Sequence, residues 1–396
     1  MKKENFGNKI PFWLLLMALI TALGPITIDM YLPTFPAIAQ DLQVPPHQIE
    51  LTVSSYLMGL SLAQLFIGPI TDRYGRKKPL LFGLSLYLLA TISCALSTSF
   101  EMLLVARTLQ AFGAASCIVI PRAVIRDHYN TQDAAHALSL LMLIMGLAPV
   151  LAPVAGSFLG PIVGWRGLFA IMLVVALLLI ALCVLKLQES LPPENAVKLS
   201  AKTISSNYFG LLCHRNFMAF ALSGGLGMAG LFAFIASSPT IFITQFGIAP
   251  ENFGFFFGLN AAGLILGSQI SVRMLRKHAS IKVLKTALLL GLISSVTGLL
   301  LTLTHLINLP LFMICMFSLS ACLGLINPNS TALALKEQGA RLGVASALMG
   351  CMQFLFGTLA SSLVSHWQTG TALPLFTCLC VCIGISFICG RHIGRA

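Results

Sequence analysis

Twelve apolar segments, each long enough to cross a lipid bilayer, account for most of this sequence of 396 residues. A membrane-spanning helix needs about 20 mainly apolar residues, and it pairs its own backbone N–H and C=O groups inside the hydrocarbon. Hydrophobic residues make up 57% of the chain and charged residues only 9%, whereas a typical soluble domain has roughly 25% charged residues. We therefore predict an all-α integral membrane protein. The predicted spans cover residues 10–33, 49–70, 79–98, 101–123, 136–159, 166–187, 216–237, 252–272, 283–303, 307–328, 342–364 and 371–390.

The spans fall into two groups of six, separated by the longest polar stretch of the chain. This stretch begins at Leu187, contains the adjacent prolines Pro192 and Pro193, and carries charges of both signs, which is typical of a linker. We predict an N-terminal six-helix bundle over residues 1–190, a cytoplasmic linker over 191–214 and a C-terminal six-helix bundle over 215–396. The loops leave no room for a soluble catalytic domain, and the sequence has no P-loop for ATP hydrolysis. We do not expect an enzyme.

Basic residues are concentrated on one side of the predicted spans. With a cytoplasmic N-terminus, all of the 24 lysines and arginines except Arg107 and Arg166 fall in cytoplasmic loops or at the neighbouring span ends. Because basic residues in short loops stay on the cytoplasmic side during insertion, we predict that both chain termini are cytoplasmic. This asymmetry also explains the net charge of +12, so we expect no nucleic-acid partner.

Cysteine and histidine do not form a recognisable metal-binding pattern. Most of the eleven cysteines lie inside predicted spans, where a thiol behaves as a small hydrophobic side chain. Cys378, Cys380 and Cys382 have no histidine or carboxylate at ligand spacing, and the histidines lie mostly in loops or at span ends. We expect neither a metal nor an organic cofactor.

Asp29 is the one acidic residue, of twelve, that falls inside a predicted span rather than in a loop or near a span edge. A charge at membrane depth costs at least about 2.5–3.5 kcal/mol on insertion scales, so it needs a partner, a water-filled cavity or a function. Arg107 is the expected partner, because the first and fourth spans run in opposite directions and place the two residues at similar depth. Two interpretations remain open. The residues form a static ion pair, or the carboxyl group binds and releases a proton.

The segment GPITDRYGRKK, from Gly68 to Lys78, joins the second and third spans. Glycine permits a tight turn there, and Asp72 can lie at a helix N-terminus or pair with an arginine such as Arg126. The segment resembles the signature G-x-x-x-D-R-x-G-R-[KR]-[KR] of the major facilitator superfamily. That resemblance implies that the loop gates the cytoplasmic side during transport. The predicted gating residues are Gly68, Asp72, Arg73, Gly75, Arg76 and Arg126.

Two further segments resemble motifs of the same superfamily. RTLQAFGAA, which begins at Arg107, is similar to the fourth-helix motif R-x-x-Q-G-x-G-A-A, with alanine and phenylalanine where glycine is commoner. GLAPVLAPVAG, in the fifth span, is similar to the antiporter motif G-x-x-x-G-P-x-x-G-G, with alanine before the prolines. Its small residues and prolines bend a helix and allow close packing, which favours a sealed helix contact over a pore wall. The motif residues are Gly146, Pro149, Pro153 and Gly156.

The segments TIDMYLPTFP and PRAVIRDHY resemble the Bcr/CflA branch of twelve-helix drug:proton antiporters, and the resemblance extends along essentially the whole chain. It implies the major facilitator fold, a monomer in the bacterial inner membrane in contact with lipid, and efflux of small lipophilic drugs such as bicyclomycin, phenicols or sulfonamides. Protons would drive this transport, with Asp29 and Arg107 as the coupling residues. We expect Tyr31, Gln110 and Asn260 to line the drug cavity.

Two other classes of function remain open on the sequence alone. The chain could be a facilitator or exporter of a natural metabolite, or a membrane sensor that kept the fold without transporting. Uphill, pH-driven efflux separates an antiporter from a facilitator, and a sensor gives no flux.

Overall fold

The computed structural model describes residues 11–192, 194, 201–367 and 369–392. The predicted positions of the two termini and of residues 195–200 of the linker lie outside these residues. Within them, eleven helices are long and apolar enough to cross a membrane. The helices are α1 (Phe12–Asp29), α2 (Phe35–Asp41), α3 (Pro46–Tyr74), α4 (Lys77–Ala95), α5 (Phe100–His128), α6 (Thr131–Lys186), α7 (Ala201–Leu212), α8 (Arg215–Pro239), α9 (Pro250–Leu275), α10 (Ser280–Leu303), α11 (Leu309–Leu335), α12 (Leu342–His366) and α13 (Leu373–His392).

The helix α6 contains two of the twelve predicted spans. Its 56 residues are interrupted at Gly164, where φ is 70° and ψ is 172°. Glycine adopts this left-handed backbone without the clash that a Cβ would cause, so the chain can reverse direction at one residue. The part before Gly164 (residues 131–163) is called the first arm below, and the part after it (165–186) the second arm. With both arms counted, each of the twelve predicted spans corresponds to a helix or helix pair within the described residues.

The first span is broken near its middle. The helix α1 ends at Asp29, a single 3₁₀ turn follows at Leu32–Thr34, and α2 continues the same span to Asp41. An unbroken helix would need the backbone N–H of residue 33 to bond the carbonyl of Asp29, and Pro33 has no N–H. The sequence therefore ends the helix at its buried acidic residue.

The first six spans pack together as one bundle and the last six as another. The two bundles meet where α3 packs on α12 and where the first arm of α6 packs on α9. Each span crosses the bilayer in the direction opposite to that of the span before it. Alternate connections between spans therefore lie at the same end of the molecule. We call the end that carries the loop between α3 and α4 the basic end, and the opposite end the far end.

Part of the predicted linker is helical. Residues 201–212 form the helix α7, and the Tyr208 hydroxyl donates to the backbone carbonyl of Leu65 on α3 at 3.1 Å. The helix α7 also packs against α12. It therefore contacts both bundles at the basic end.

Candidate functional site

Asp29 is buried where α1 ends, with 2% of its surface exposed. Its Oδ1 atom has no hydrogen-bond partner. The C-terminal end of a helix carries partial negative charge, so an ionised carboxylate at this position is disfavoured both by burial and by the helix dipole. The site accommodates a neutral carboxylic acid more readily than a charge.

Arg107, on α5, is completely buried, and both of its Nη atoms have hydrogen-bond partners, whereas its Nε has none. Its Nη1 donates to Gln110 Oε1 at 2.6 Å, and its Nη2 donates to the backbone carbonyl of Thr27 at 3.1 Å. The guanidinium carbon lies 4.4 Å from the ring centre of Tyr31 and 4.5 Å from that of Tyr56. In an apolar setting each such cation–π contact is worth up to about 2 kcal/mol. The charge is therefore stabilised by neutral groups.

The predicted ion pair between Asp29 and Arg107 is not formed. Arg107 approaches α1 at Thr27, whose hydroxyl also bonds the Tyr87 hydroxyl at 2.7 Å. Successive residues of an α-helix are rotated by about 100°, so Asp29 lies roughly 200° around the helix from Thr27. A similar depth in the bilayer does not bring Asp29 and Arg107 together, because Arg107 contacts the face of α1 that carries Thr27 and Asp29 lies on another face.

The three residues predicted to line a drug cavity are all buried inside their own bundles. The Tyr31 hydroxyl bonds the Thr52 hydroxyl at 2.7 Å. Gln110 holds Arg107 and donates to Thr91 Oγ1 at 2.8 Å. Asn260, on α9, accepts from Ser320 at 2.8 Å. These residues shape the bundles, and none of them faces an open cavity in this structure.

The loop between α3 and α4 is organised around Arg76. This side chain pairs with Asp72 at 2.6 Å and with Asp127, at the end of α5, at 2.9 Å. The sequence offered two places for Asp72, a helix N-terminus or a pair with an arginine such as Arg126. Asp72 instead lies near the C-terminal end of α3, Arg126 is exposed, and the basic partner of Asp72 is Arg76. Arg73 is also exposed, and an added Cβ at Gly68 would meet no atom within 4 Å. The predicted gating loop is thus tied to its own bundle in this state.

Glu189, which follows the second arm of α6, forms hydrogen bonds with the start of α4. Its carboxylate accepts from the backbone N–H of Arg76 at 2.7 Å and of Lys77 at 3.1 Å. Burial alone would raise the pKa of Glu189, but these two N–H groups and those of Ser190 and Leu191 hold the pKa below its ordinary value. The same carboxylate explains Gly75, whose φ is 87°, because a Cβ there would overlap a Glu189 oxygen.

The antiporter-motif segment lies on the first arm of α6 and forms close contacts on two sides. An added Cβ at Gly156 would lie 1.8 Å from the carbonyl oxygen of Met30, the residue after Asp29. On the other side, an added Cβ at Gly254 of α9 would lie 2.5 Å from Val154 Cα and 2.6 Å from the carbonyl of Pro153. Gly146 is looser, with Ile265 at 3.8 Å from an added Cβ. Pro149 lies between these contacts in the same arm. The first arm of α6 thus contacts the other bundle tightly in its far half, and α3 contacts α12 nearer the middle of the bilayer, where Ser61 donates to the Cys351 carbonyl at 2.9 Å.

Sequence reasoning missed Glu50, because it appeared to lie at the edge of a span. The helix α3 begins at Pro46, so Glu50 is already in its second turn, and its exposed fraction is 1%. Its two carboxylate oxygens accept hydrogen bonds from Thr240 and Ser365, which both belong to the other bundle. The signal was the pair Pro45 and Pro46, which marks a helix start four residues before Glu50.

Comparison with known proteins gives a consistent result for nearly the whole chain. Residues 17–361 match the family model described as Major Facilitator Superfamily. The MFS-type transporter YdgK of Bacillus subtilis is 36% identical over 364 residues, which are 91% of this chain and 90% of that protein. The bicyclomycin resistance protein homolog of Haemophilus influenzae is 29% identical over 379 residues, 95% of this chain and 94% of that protein.

A solved structure supports the same architecture. The nucleoside transporter NupG, in a mutant form, superposes with a TM-score of 0.73 at 12% identity, covering 96% of this chain and 98% of that chain. At this identity the likeness concerns the fold alone.

Proposed function

The chain belongs to the Major Facilitator Superfamily, and on that premise we propose that it exports small lipophilic drugs in exchange for protons, by alternating access between its two bundles. That it is a membrane transporter follows from the family. The proton coupling, the drug class, the bacterial inner membrane and the cytoplasmic termini are parts of the proposal. Neither an organic cofactor nor a metal has a role in it.

The observation that carries the proposal is the environment of Asp29. A buried carboxyl group without a cationic partner, placed at a helix break, is stable when protonated and costly when ionised. Hydration of the site in another state of the transporter would remove that cost and release the proton. Because Arg107 is held by Gln110 and two tyrosine rings, it does not neutralise Asp29 permanently.

The contacts between the bundles suggest which state this is. Gly254 N–H donates to Ser157 Oγ at 2.9 Å, and the Ser54 and Ser361 hydroxyls lie 2.7 Å apart. These contacts lie toward the far end, which is the periplasmic end if the basic residues are cytoplasmic. The loop around Arg76, at the basic end, is bonded within its own bundle. We assign the structure to a state closed toward the periplasm.

The resistance protein in Haemophilus influenzae is named for bicyclomycin, and it aligns with 95% of this chain. We therefore place bicyclomycin-like compounds first among the proposed substrates, with phenicols and sulfonamides as further candidates. One titrating acid implies one proton per drug molecule. That proton supplies about 2.3 kcal/mol per 100 mV of membrane potential and about 1.4 kcal/mol per unit of pH gradient.

The test is Asp29→Asn, assayed in inverted membrane vesicles. We expect this variant to fold and bind drug, to lose proton-driven accumulation, and to keep exchange of drug down its own gradient. Asp29→Glu should retain part of the pumping, because it keeps a titratable group. Glu251→Gln, at an exposed position in the first turn of α9, is the matched control and should pump normally.

Each outcome has a defined meaning. An Asp29→Asn variant that still pumps uphill with normal pH dependence would move the proton site elsewhere. A wild-type protein that only equilibrates drug across the membrane would indicate a facilitator, and one without any flux would indicate a sensor.

A further inference from the structure

Glu50 joins the two bundles at the far end. It lies in the second turn of α3, and its carboxylate spans the boundary between the halves. Its Oε1 accepts from Thr240, at the end of α8, and its Oε2 accepts from the Ser365 hydroxyl, near the end of α12, at 2.9 Å. Both bonds must break if the bundles separate at this end. Glu50 is therefore part of the closed contact itself, whereas Asp29 lies within one bundle.

Among the described residues, no basic side chain forms an ion pair with Glu50. A cavity of about 20 Å³ adjoins it, which is enough for about one water molecule. The other described residues that line this cavity come from α8 and the turn after it, from α12 and from the start of α13, and none carries a titratable group. Gln245 is among them, and its Oε1 is buried without a hydrogen-bond partner.

Two histidines lie close to Glu50 and Ser365 along the chain. His47 lies one turn before Glu50 on α3 and is half-buried, and His366 follows Ser365 but is exposed, with Nδ1 bonded to the Ser362 carbonyl at 2.8 Å. Neither forms an ion pair with Glu50, whose hydrogen bonds go to the two hydroxyl groups. Two neutral hydroxyl donors offset only part of the cost of burying an ionised carboxylate.

We propose that Glu50 is a proton-operated latch, which closes the far end of the transporter when it is protonated and releases that end when it is ionised. In the closed contact the neutral acid avoids the burial cost and brings a donor into a cavity that contains an unpaired acceptor. In an open state, water would surround the carboxylate and stabilise its charge. The closed state thus binds the proton more tightly than the open state does.

The direction of the pH effect follows from this difference in proton affinity. Because a ligand shifts a two-state equilibrium toward the state that binds it better, acid in the far-end solution must favour closure. For one proton, the ratio of closed to open molecules changes at most about tenfold per pH unit. Glu50 takes its proton from the far side and returns it there. It biases the gate without carrying a proton across the membrane.

Distance measurement between spin labels tests the latch directly. Thr98→Cys and Thr304→Cys place labels on exposed loops of opposite bundles, at the far end and away from Glu50. Cys213, which is exposed, is replaced by serine. This parent protein, without the two new cysteines, is the labelling blank and also reports any reaction of the half-buried Cys380 and Cys389. Double electron–electron resonance in lipid nanodiscs, between pH 5 and 8 and without substrate, then reports the populations of short and long distances.

We expect the short-distance population of the wild-type background to rise as the pH falls. Glu50→Gln, which resembles the protonated acid, should keep the short distance at every pH, and Glu50→Asp should retain a pH dependence. Glu101→Gln, at an exposed far-end position in the first turn of α5, should titrate like wild type. Size-exclusion chromatography of each variant verifies folding.

Two results would overturn the latch. One is a Glu50→Gln variant that titrates like wild type, and the other is a wild-type distance distribution that does not respond to pH. Asp29→Asn should leave the titration in place, because the latch does not depend on that carboxyl group. Loss of pumping in Asp29→Asn with an intact distance titration would support both ideas, while normal pumping with an intact titration would contradict only the proposed coupling role of Asp29.

Discussion

At the scale of single residues, the N-terminal bundle treats two of its buried charged side chains, Arg107 and Asp29, in opposite ways. Arg107 is always ionised, and its two Nη atoms receive hydrogen-bond acceptors while two aromatic faces cover the guanidinium, although its Nε has no partner. Asp29 can become neutral, and its Oδ1 receives no partner. A side chain that is always charged needs hydrogen-bond acceptors or aromatic faces beside it at all times. A carboxyl group that binds and releases a proton needs surroundings that do not hold it permanently in one charge state. This contrast is the residue-level reason to assign structure to Arg107 and proton binding to Asp29.

Arg107→Lys tests the structural role. A lysine is a single point charge, so it cannot reach Gln110 and the Thr27 carbonyl while also covering the Tyr31 and Tyr56 rings. We expect a loss of about 1–3 kcal/mol in the free energy of unfolding, the cost of leaving a buried polar group without its partner. Thermal unfolding of the purified protein in detergent, followed by fluorescence, measures it as a lower melting temperature.

The matched control for this substitution is Arg166→Lys. Arg166 pairs with Asp41 at the far end, but both side chains are 42% exposed, and exposed pairs contribute about 0.2–1 kcal/mol. Its melting temperature should stay near that of wild type. If the two substitutions lowered the melting temperature equally, the buried contacts of the Arg107 guanidinium would not contribute more to the stability of the protein than an exposed ion pair does.

At the scale of elements, the first arm of α6 connects the proposed proton site, Asp29, to the contact between the bundles. One face approaches α1 at Met30, beside Asp29, and the other approaches α9 at Gly254. Glycine at both contacts lets the backbones approach more closely than any side chain would allow. A movement of α9 against this arm can therefore be transmitted to the helix break at Asp29 through direct backbone contact.

Gly156→Ala tests this contact. The added methyl group would overlap the Met30 carbonyl, so α1 and α6 must move apart. Overpacking of this kind costs about 1–3 kcal/mol, and we expect a lower melting temperature and reduced transport. Gly146→Ala is the control from the same motif, because its methyl group would meet Ile265 at an ordinary distance of 3.8 Å. Equal behaviour of the two variants in the thermal and vesicle assays would argue against close packing at Gly156.

At the scale of the whole molecule, the antiparallel spans collect the basic side chains at one end. The loop around Arg76, the ends of α5 and α9, and the helix α7 all lie there, whereas Arg166, at the far end, is paired with Asp41. The two ends thus differ in charge, which is the physical basis of membrane orientation.

Reporter fusions test this orientation. Fusions after Lys78, within residues 190–214 and at Ala396 should all report a cytoplasmic location in a bacterial host, because positive charge holds these segments inside. A fusion in the loop at Thr98, between α4 and α5, is the control and should report the periplasm. A periplasmic signal from the linker fusion would contradict an arrangement of two six-helix bundles.

The sequence by itself indicated twelve apolar spans and a carboxyl group, that of Asp29, within the first of them, because hydrophobicity and charge act locally along the chain. Pro33 and Gly164 likewise encode the ends of their helices, since one lacks an N–H and the other permits a left-handed backbone. Helix rotation and the meeting of distant segments are not local properties, so only the tertiary structure decided them. It separated Asp29 from Arg107, placed Gln110 behind Arg107, and buried Glu50 between the bundles beside Thr240 and Ser365. From the sequence, Glu50 is expected to be exposed because it lies near the edge of a span. It is buried because Thr240 and Ser365 of the opposite bundle, 190 and 315 positions away in the chain, pack against it.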